Sequence, residues 1–260
     1  MTPLPGDSRL PGSATDSPSA TGNAAELGLS LPQEGRAARA NVAGAVERGL
    51  DIVLAAVLLL VLLPLIMAVA VLVRLDSPGS VLFRCERVGY RGRRLRLLKF
   101  RKMVSGAHGA PLTTADDERF TRLGRWLAKY KLDELPQIWQ VLTGEMSLVG
   151  PRPESRDFVE RYADDYYDHI LTVRPGIFGL SQIAFASENR ILDPDDPVGH
   201  YVARILPQKV ALDRMYAAEH SPWVNVRILF WSCVTVVLRR PVAVNRRSTA
   251  MRVRRRNGEG

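Results

Sequence analysis

Ile52–Val73 reads IVLAAVLLLVLLPLIMAVAVLV, 22 residues without a charge or a hydrogen-bonding side chain. Helices of water-soluble proteins keep one polar face. A run that is apolar all round is long enough, at about 1.5 Å per residue, to cross the ~30 Å hydrocarbon core of a bilayer. Membrane insertion is the consequence. Pro64 stands at the middle of the run, where it removes one backbone hydrogen bond and bends the helix. In lipid the freed carbonyl has no water to turn to and needs a partner. Arg36, Arg39 and Arg48 precede the run, and Arg74, Arg84, Arg87, Arg91, Arg93 and Arg94 come after it. Positive charge on both flanks favours both ends on the cytoplasmic side. A helix that enters, turns at Pro64 and returns to the same leaflet resolves the conflict. A straight span with a moderate kink is the alternative.

Outward from this anchor the composition changes sharply. Residues 1–46 are rich in Pro, Gly, Ser, Thr and Ala and contain no aromatic residue, so this segment is expected to be a disordered tail. The apolar run lies too far from the start for a secretory signal. The expected division is tail 1–46, membrane helix 47–75, a folded domain 76–240 and a basic disordered tail 241–260. Lys and Arg number 36 against 27 acids, a formal charge of +9. That balance points to anionic partners: phospholipid headgroups, phosphorylated substrates or nucleic acid. Eight arginines lie between Arg239 and Arg256, where they can attract a membrane surface without forming part of a site. Cys85 and Cys233 fit no metal spacing and read as two free thiols.

In the domain, Val81–Val88 and Arg94–Lys102 read as strands around a Gly89-Tyr90-Arg91-Gly92 turn. Helices are expected over Asp117–Tyr130, Glu134–Leu142, Arg156–Leu171, Pro207–Glu219 and Ser221–Leu238. The last has Ser221 as cap, Pro222 at its first position, and an apolar stripe of Trp223, Leu229, Phe230 and Trp231. That stripe suits either the membrane interface or the core. The fold class is α+β, a mainly helical domain with a short β-hairpin, interfacial amphipathic helices and a re-entrant membrane hairpin.

Two adjacent acids carry the chemistry. Lys131-Leu132-Asp133-Glu134-Leu135-Pro136-Gln137 is followed by Gly144-Glu145-Met146-Ser147-Leu148-Val149-Gly150-Pro151-Arg152-Pro153. A carboxylate pair among cations suits phosphoryl transfer, one attacking phosphorus while the other holds a metal or a proton. The competing reading is capping, with Asp133 as N-cap and Glu134 as a first-turn acid facing the helix dipole. Lys99 and Arg101, sharing one face of a strand, could clamp a diphosphate. Arg152 between two prolines has little backbone freedom and could grip a phosphate bidentately. Arg174-Pro175-Gly176 repeats that device. No Walker-type loop, no His-rich metal spacing and no G-x-S-x-G elbow is present. His108, His169, His200 and His220 are scattered, and Gly89-x-x-Gly92 is a hairpin turn before it is an RNA-binding loop.

These motifs, in this order, resemble the bacterial sugar transferases, the monotopic polyprenyl-phosphate phosphoglycosyl transferases. The likeness runs from about Glu47 to Leu238. It rests on the apolar anchor, Arg74-Leu75-Asp76-Ser77-Pro78-Gly79, Glu86-Arg87-Val88-Gly89, Lys99-Phe100-Arg101, Leu112-Thr113-Thr114, Leu132–Gln137, Gly144–Pro153 and Arg174–Gln182. The resemblance implies a re-entrant helix on the cytoplasmic leaflet of the inner membrane, a cytoplasmic catalytic domain and Mg2+ dependence. It also implies transfer of a sugar-1-phosphate from a nucleotide diphosphate sugar, expected to be UDP-linked, to undecaprenyl phosphate. Asp133 matches the family nucleophile and Glu134 its acidic partner, which would hold magnesium, with Asp133 as a second ligand. Lys99, Arg101, Arg152 and Arg174 would bind substrate phosphates.

The chain departs from the family pattern at Leu63, where a serine usually precedes the membrane proline. It also departs at Ala128, Tyr130 and Lys131 ahead of the acid pair, and at Phe178 and Ser181. These changes surround the pocket and leave the acids in place, so altered specificity is expected with activity kept. The chain is expected to be a minimal version, without a further N-terminal domain. Expected partners are the donor, undecaprenyl phosphate and the membrane, with no nucleic acid; a homo-oligomer is admissible. The alternative function is a non-catalytic, membrane-tethered basic scaffold.

Overall fold

The structure, a computed structural model, describes residues 31–253 apart from 105, 108–111, 115–116, 189–190, 237 and 246–247, with side chains from residue 44 onward. The chain forms two compact units, Met1–Val42 and Ala43–Gly260, and the second carries the apolar run and the acid pair. The expected disordered tail lies outside the described residues as far as residue 30. From there helix α1 spans Leu31–Asp76. Five alanines between Ala37 and Ala45 give that stretch the helix propensity that a reading of Pro and Gly content overlooks.

Pro64, where a re-entrant bend is expected, lies inside a helix. Helix α1 runs through Pro64 without interruption. Leu63 and Leu65 on either side of it provide no side chain to satisfy the backbone of an open turn, and a proline inside one helix leaves only its own missing bond. One face of α1 is docked along its length. Ala55 is fully buried, with Leu58, Leu59 and Leu62 packed beside it in the main core. Val69 and Val73 join Phe100 and Leu127 in a second cluster, flanked by Ile66 and Ala70. These positions recur at the three- and four-residue spacing of a single helix face. The opposite face, including Val53, Val57, Leu60, Val61, Met67 and Val71, is exposed and wholly apolar.

Both flanks of the helix are held by the same domain. Arg48 donates to the carbonyls of Val141 (2.7 Å) and Leu142 (2.9 Å), and Asp51 accepts the Leu148 N–H at 3.1 Å. At the far end the Arg101 guanidinium donates to the carbonyls of Val73 (3.3 Å), Ser77 (2.6 Å) and Pro78 (2.9 Å). About 33 Å of helix separates Asp51 from Val73.

The domain begins with the expected hairpin. Strand β1 (Leu82–Val88) pairs antiparallel with β2 (Arg94–Phe100), Val88 opposite Arg94 and Leu82 opposite Phe100. Leu95 and Leu97 point inward while Arg94 and Arg96 remain exposed, the period-two pattern of a half-buried strand. Helix α2 (Arg122–Tyr130) is shorter than expected, starting where the Thr121 hydroxyl accepts the Gly124 N–H. A 3₁₀ turn, Leu132–Glu134, leads to α3 (Gln137–Thr143), closed by Gly144 in the left-handed region at φ 90°. Strand β3 (Ser147–Val149) pairs in parallel with β4 (Gly176–Phe178), a small sheet absent from the sequence reading.

The helix expected over Arg156–Leu171 is broken into α4 (Arg156–Glu160), α5 (Ala163–Asp168) and a 3₁₀ turn at Ile170–Thr172. Tyr162 is non-helical, and Asp164 and Asp165 then open α5, where acids suit a helix N-terminus. Helix α6 (Leu180–Ala184) comes next. Helix α7 (Pro197–His200) passes through a π-helical turn, Tyr201–Ile205, into α8 (Leu206–Glu219), and α9 spans Pro222–Val236.

The segment 241–260 is not simply a basic tail. Strand β5 (Val242–Val244) pairs antiparallel with β6 (Met251–Val253). Val242 is buried in the main core, and Arg227 of α9 donates to the Thr249 carbonyl at 3.1 Å. Three-residue strands among arginines are too short for periodicity to register. Residues 254–260 lie outside the described residues.

The re-entrant reading places both flanks of α1 on one side of a membrane, and both flanks dock on one domain. Single cysteines replacing Gly44 and Ser80, in a Cys85→Ser/Cys233→Ser background, should therefore react or be protected together when a membrane-impermeant thiol reagent is added to intact cells. Labelling of one and protection of the other would establish a full crossing.

Candidate active site

Backbone geometry sets the acid pair. Lys131 ends α2 in the left-handed region at φ 59°, its N–H returning to the carbonyls of Ala128 and Leu127. The chain then makes one tight turn, with Glu134 N–H on Lys131 O at 3.2 Å and Leu135 N–H on Leu132 O at 3.3 Å. Leu132 and Leu135 insert beside Phe100 and Leu127, which leaves Asp133 and Glu134 aimed at the end of β2. The capping reading does not hold. Helix α3 starts at Gln137 with Pro136 before it and no side-chain cap. Both Asp133 carboxylate oxygens are buried and accept no hydrogen bond.

The cations divide between the acids. Glu134 Oε1 accepts from Lys99 Nζ at 3.0 Å and from Arg152 Nη2 at 2.7 Å. Asp133 Oδ2 lies 3.0 Å from Lys102 Nζ. Strand β2 ends at Phe100, so strict alternation stops there, and Lys99 and Lys102 both reach the acid pair. Arg101, expected beside Lys99, has its guanidinium turned to the C-terminal end of α1, where helix carbonyls lack intrahelical donors. Arg174 is also not brought to the pair. It is exposed, donates to the Gly144 carbonyl at 3.2 Å and lies over the Tyr90 ring.

Electrostatics follow from burial. Desolvation alone would raise the Glu134 carboxyl, but Arg152, Lys99 and Lys131 outweigh it and hold it well below the usual carboxylate range. Glu134 in turn holds the Arg152 guanidinium above its ordinary value. Lys99 goes the other way: burial lowers its ammonium by more than Glu134 restores.

Two close backbone approaches position the cations. The β3–β4 crossing brings Gly150 and Gly176 together, where a Cβ on Gly176 would stand 2.0 Å from the Gly150 nitrogen. That contact sets the Pro151-Arg152-Pro153 turn, with Gly176 N–H donating to Pro151 O at 2.9 Å. Beneath Lys102, α2 approaches so closely that a Cβ on Gly124 would stand 1.8 Å from the Lys102 carbonyl oxygen. The same carbonyl accepts the Thr121 N–H at 3.1 Å.

Behind Arg152 lies a second charged network. Glu154 is buried, its Oε1 accepting from Tyr201 Oη (2.8 Å) and Lys209 Nζ (2.9 Å), and Lys209 reaches Glu188 at 3.2 Å. Burial opposes the Lys209 ammonium, yet Glu154 and Glu188 hold it well above its usual value. Asp213 is fully buried with two oxygens that accept no hydrogen bond. Burial pushes its carboxyl up to about 7, against the pull of Ser181, Lys209 and Arg152. Sequence reading missed Lys102, Glu154, Lys209 and Asp213. The run Lys99-Phe100-Arg101-Lys102 signals the first; Glu154 and Lys209, 55 residues apart, carry no local signal.

Among the described residues no group of three or more His, Cys, Asp and Glu is placed to hold a metal ion. Two adjacent carboxylates, one with buried oxygens lacking donors, nevertheless fit Mg2+, which takes one or two protein carboxylates and completes its shell with water and substrate phosphates.

Fold and site together define a membrane-anchored protein built around a shielded acid pair. The chain belongs to the bacterial sugar transferase family, whose model matches residues 42–239. It is 39% identical over 196 residues to the UDP-N-acetylgalactosamine-undecaprenyl-phosphate N-acetylgalactosaminephosphotransferase of Aeromonas hydrophila, covering 74% of this chain and 44% of that one. UDP-glucose:undecaprenyl-phosphate glucose-1-phosphate transferases of Escherichia coli K12 and Caulobacter vibrioides are 36% and 35% identical. They cover 71% and 70% of this chain, and the matches span 38% and 66% of their own lengths. The chain thus spans less than half of two of these relatives and about two thirds of the third.

The raised Asp213 carboxyl means that folded protein binds its proton more tightly than unfolded chain. Stability from this group is therefore full below about pH 4 and falls as pH rises to about 7. Asp213→Asn should raise the thermal unfolding midpoint at pH 8, by about 2–4 °C per kcal/mol recovered, and change it little at pH 4. An unchanged midpoint at pH 8 would mean that Asp213 is ionised without cost.

Proposed function

We propose that this chain transfers a sugar-1-phosphate from a nucleotide diphosphate sugar, UDP-linked, to undecaprenyl phosphate through a sugar-phosphoryl aspartate at Asp133. The observation that carries the reading is Asp133 itself, a buried carboxylate accepting no hydrogen bond, beside a partner acid already engaged by Lys99 and Arg152. Asp213 is also buried with unsatisfied oxygens, and what sets Asp133 apart is its place beside Glu134 among Lys99, Lys102 and Arg152. A nucleophile needs a free oxygen. The relatives support the chemistry, since each is named for moving a sugar phosphate to undecaprenyl phosphate or for a UDP-sugar donor.

In the first half-reaction an Asp133 oxygen attacks the phosphorus bearing the sugar. The bond from that phosphorus to the nucleotide phosphate breaks, and the nucleoside monophosphate leaves with the electron pair. In the second, an undecaprenyl phosphate oxygen attacks the same phosphorus, and Asp133 recovers its pair as carboxylate. Neither half requires a net proton transfer. The obstacle is charge, because an anion must approach an anion; at about 4 Å and an effective dielectric near 20 the repulsion is on the order of 4 kcal/mol. Mg2+, held by Glu134 with Asp133 as second ligand, would supply much of the neutralisation. Arg152 and Lys99, now paired with Glu134, stand ready to share the substrate phosphates, with the Arg152 fork fixed by its flanking prolines.

The acceptor is a lipid, and the apolar outer face of α1 supports placement on a membrane. The exposed Trp223, Val226 and Phe230 of α9 add to that support. Nucleotide sugars are cytoplasmic, so the domain is placed on the cytoplasmic face of the inner membrane. A basic scaffold would not need the acid pair buried.

Asp133→Asn preserves shape and removes the nucleophile. It should abolish UMP release from a UDP-sugar in the presence of Mg2+ and undecaprenyl phosphate, and the wild type should show ping-pong kinetics. Wild-type turnover by the variant, or a ternary-complex pattern, would overturn the aspartyl route. Arg152→Lys keeps the charge without the fork and should lower kcat/KM by about tenfold or more. Near-normal kinetics would assign Arg152 to folding alone.

A further inference from the structure

Lys102 is a residue that neither the sequence motifs nor the proposed reaction assigns. Among the described residues it is the cation in contact with the attacking carboxylate, its Nζ 3.0 Å from Asp133 Oδ2. The neighbouring cations are held elsewhere: Lys99 and Arg152 on Glu134, Arg101 on the end of α1, Arg174 on Gly144. Its backbone is fixed by the Thr121 N–H and by the close approach of Gly124. Its side chain is different. It remains about a quarter exposed while Asp133 is almost fully covered, and its Nζ lies over the Phe120 ring at 5.8 Å.

As a purely structural ion pair this is a poor device. The contact meets no hydrogen-bond geometry, so both Asp133 oxygens stay unsatisfied in a buried site, and a buried pair without good hydrogen bonds gains little over its desolvation. The arrangement suits a charge that must move. A compact ammonium on a four-carbon stem can follow an anion that shifts by a bond or two, which a planar, forked guanidinium does less readily.

We propose that Lys102 is a catalytic residue that neutralises the Asp133 carboxylate in the resting enzyme and then follows the negative charge onto the phosphoryl group as the aspartyl intermediate forms. The proposal rests on the reaction assigned above. When the Asp133 oxygen bonds to phosphorus the carboxylate charge disappears, and the anionic oxygens of the transferred phosphoryl group lie just beyond it. The Lys102 ammonium passes from Oδ2 to one of those oxygens. It stays protonated throughout and takes part in no bond making or breaking. In the second half-reaction it returns to Oδ2 as the carboxylate re-forms. Lys102 thus serves Asp133 while Lys99 and Arg152 serve Glu134, and both half-reactions depend on it.

The test resolves the first half-reaction. Full-length protein in detergent is mixed with Mg2+ and sugar-radiolabelled UDP-glucose or UDP-N-acetylgalactosamine, without acceptor, and both UMP and protein-bound label are followed in a single turnover. Lys102→Met should slow labelling by about 100-fold or more, with the donor concentration for half-saturation changed by no more than about threefold. Lys102→Arg keeps the charge and should recover the rate to within about tenfold of wild type. Methylammonium added to Lys102→Ala should accelerate labelling in a saturable way, an effect that a merely structural role would not produce. The thermal unfolding midpoint of each variant is measured alongside. Should Lys102→Met prove unfolded, the Arg variant and the amine response carry the test.

Labelling of folded Lys102→Met at the wild-type rate, or a folded Lys102→Ala indifferent to methylammonium, overturns the role of Lys102 and leaves the reaction standing. Absence of label from the wild type, or label that persists in Asp133→Asn, overturns the reaction itself and this assignment with it.

Discussion

Two adjacent carboxylates cannot be withdrawn from water unless cations come with them, and most of this domain's architecture serves that requirement. Glu134 sits on a turn of three residues, Lys99 on the end of β2, and Arg152 on a turn between two prolines after β3. The ion contacts of 2.7 and 3.0 Å join those three segments. Removing one partner of a buried pair leaves an uncompensated charge, at about 3–5 kcal/mol. The acid pair is therefore a constraint on the fold as well as the seat of the proposed chemistry. Apolar packing holds the other side of the same turn, where Leu132 and Leu135 lie against Phe100 and Leu127.

The same reasoning extends one layer back. Glu154, two residues beyond Arg152, is buried against Tyr201 and Lys209, so the turn carrying Arg152 is anchored to α8 and to the π-helical turn before it. A π turn displaces side chains relative to a regular helix, and here it brings Tyr201 and Lys209, eight residues apart, within 2.9 Å of each other. The position of Arg152 is thus set from both sides, by the close crossing of Gly150 and Gly176 and by the charged network behind it.

Helix α1 joins the membrane to this arrangement through Arg101. Its guanidinium closes the C-terminal end of the helix, while its chain neighbours Lys99 and Lys102 contact the acids. One short run of cations therefore links the lipid-facing element to the chemistry. At the other flank Arg48 and Asp51 tie the helix to the end of α3 and to β3. Helix α1 and the acid pair are thus held to one another through the body of the domain.

The sequence by itself determined what rests on local pattern. Length and uniform apolarity declare a membrane helix at Ile52–Val73; period-two alternation and the Gly89–Gly92 turn declare β1 and β2; the order of motifs from Arg74 to Gln182 declares the family, with Asp133, Glu134, Lys99 and Arg152 at its centre. Tertiary structure decided the rest, because it depends on distant contacts. Lys99, Arg101 and Lys102 are chemically alike and close in sequence, and only the end of β2 at Phe100 and the nearby end of α1 decide that the first and last face the acids while Arg101 turns away. Whether Asp133 caps a helix or stands free depended on α3 starting at Gln137, after Pro136. The course of the chain at Pro64 was likewise undetermined by residue type, since a proline in lipid permits a turn or a bend. The packing of Leu58, Leu62, Val69 and Val73 shows which face of α1 meets the domain, and no local pattern contains that contact.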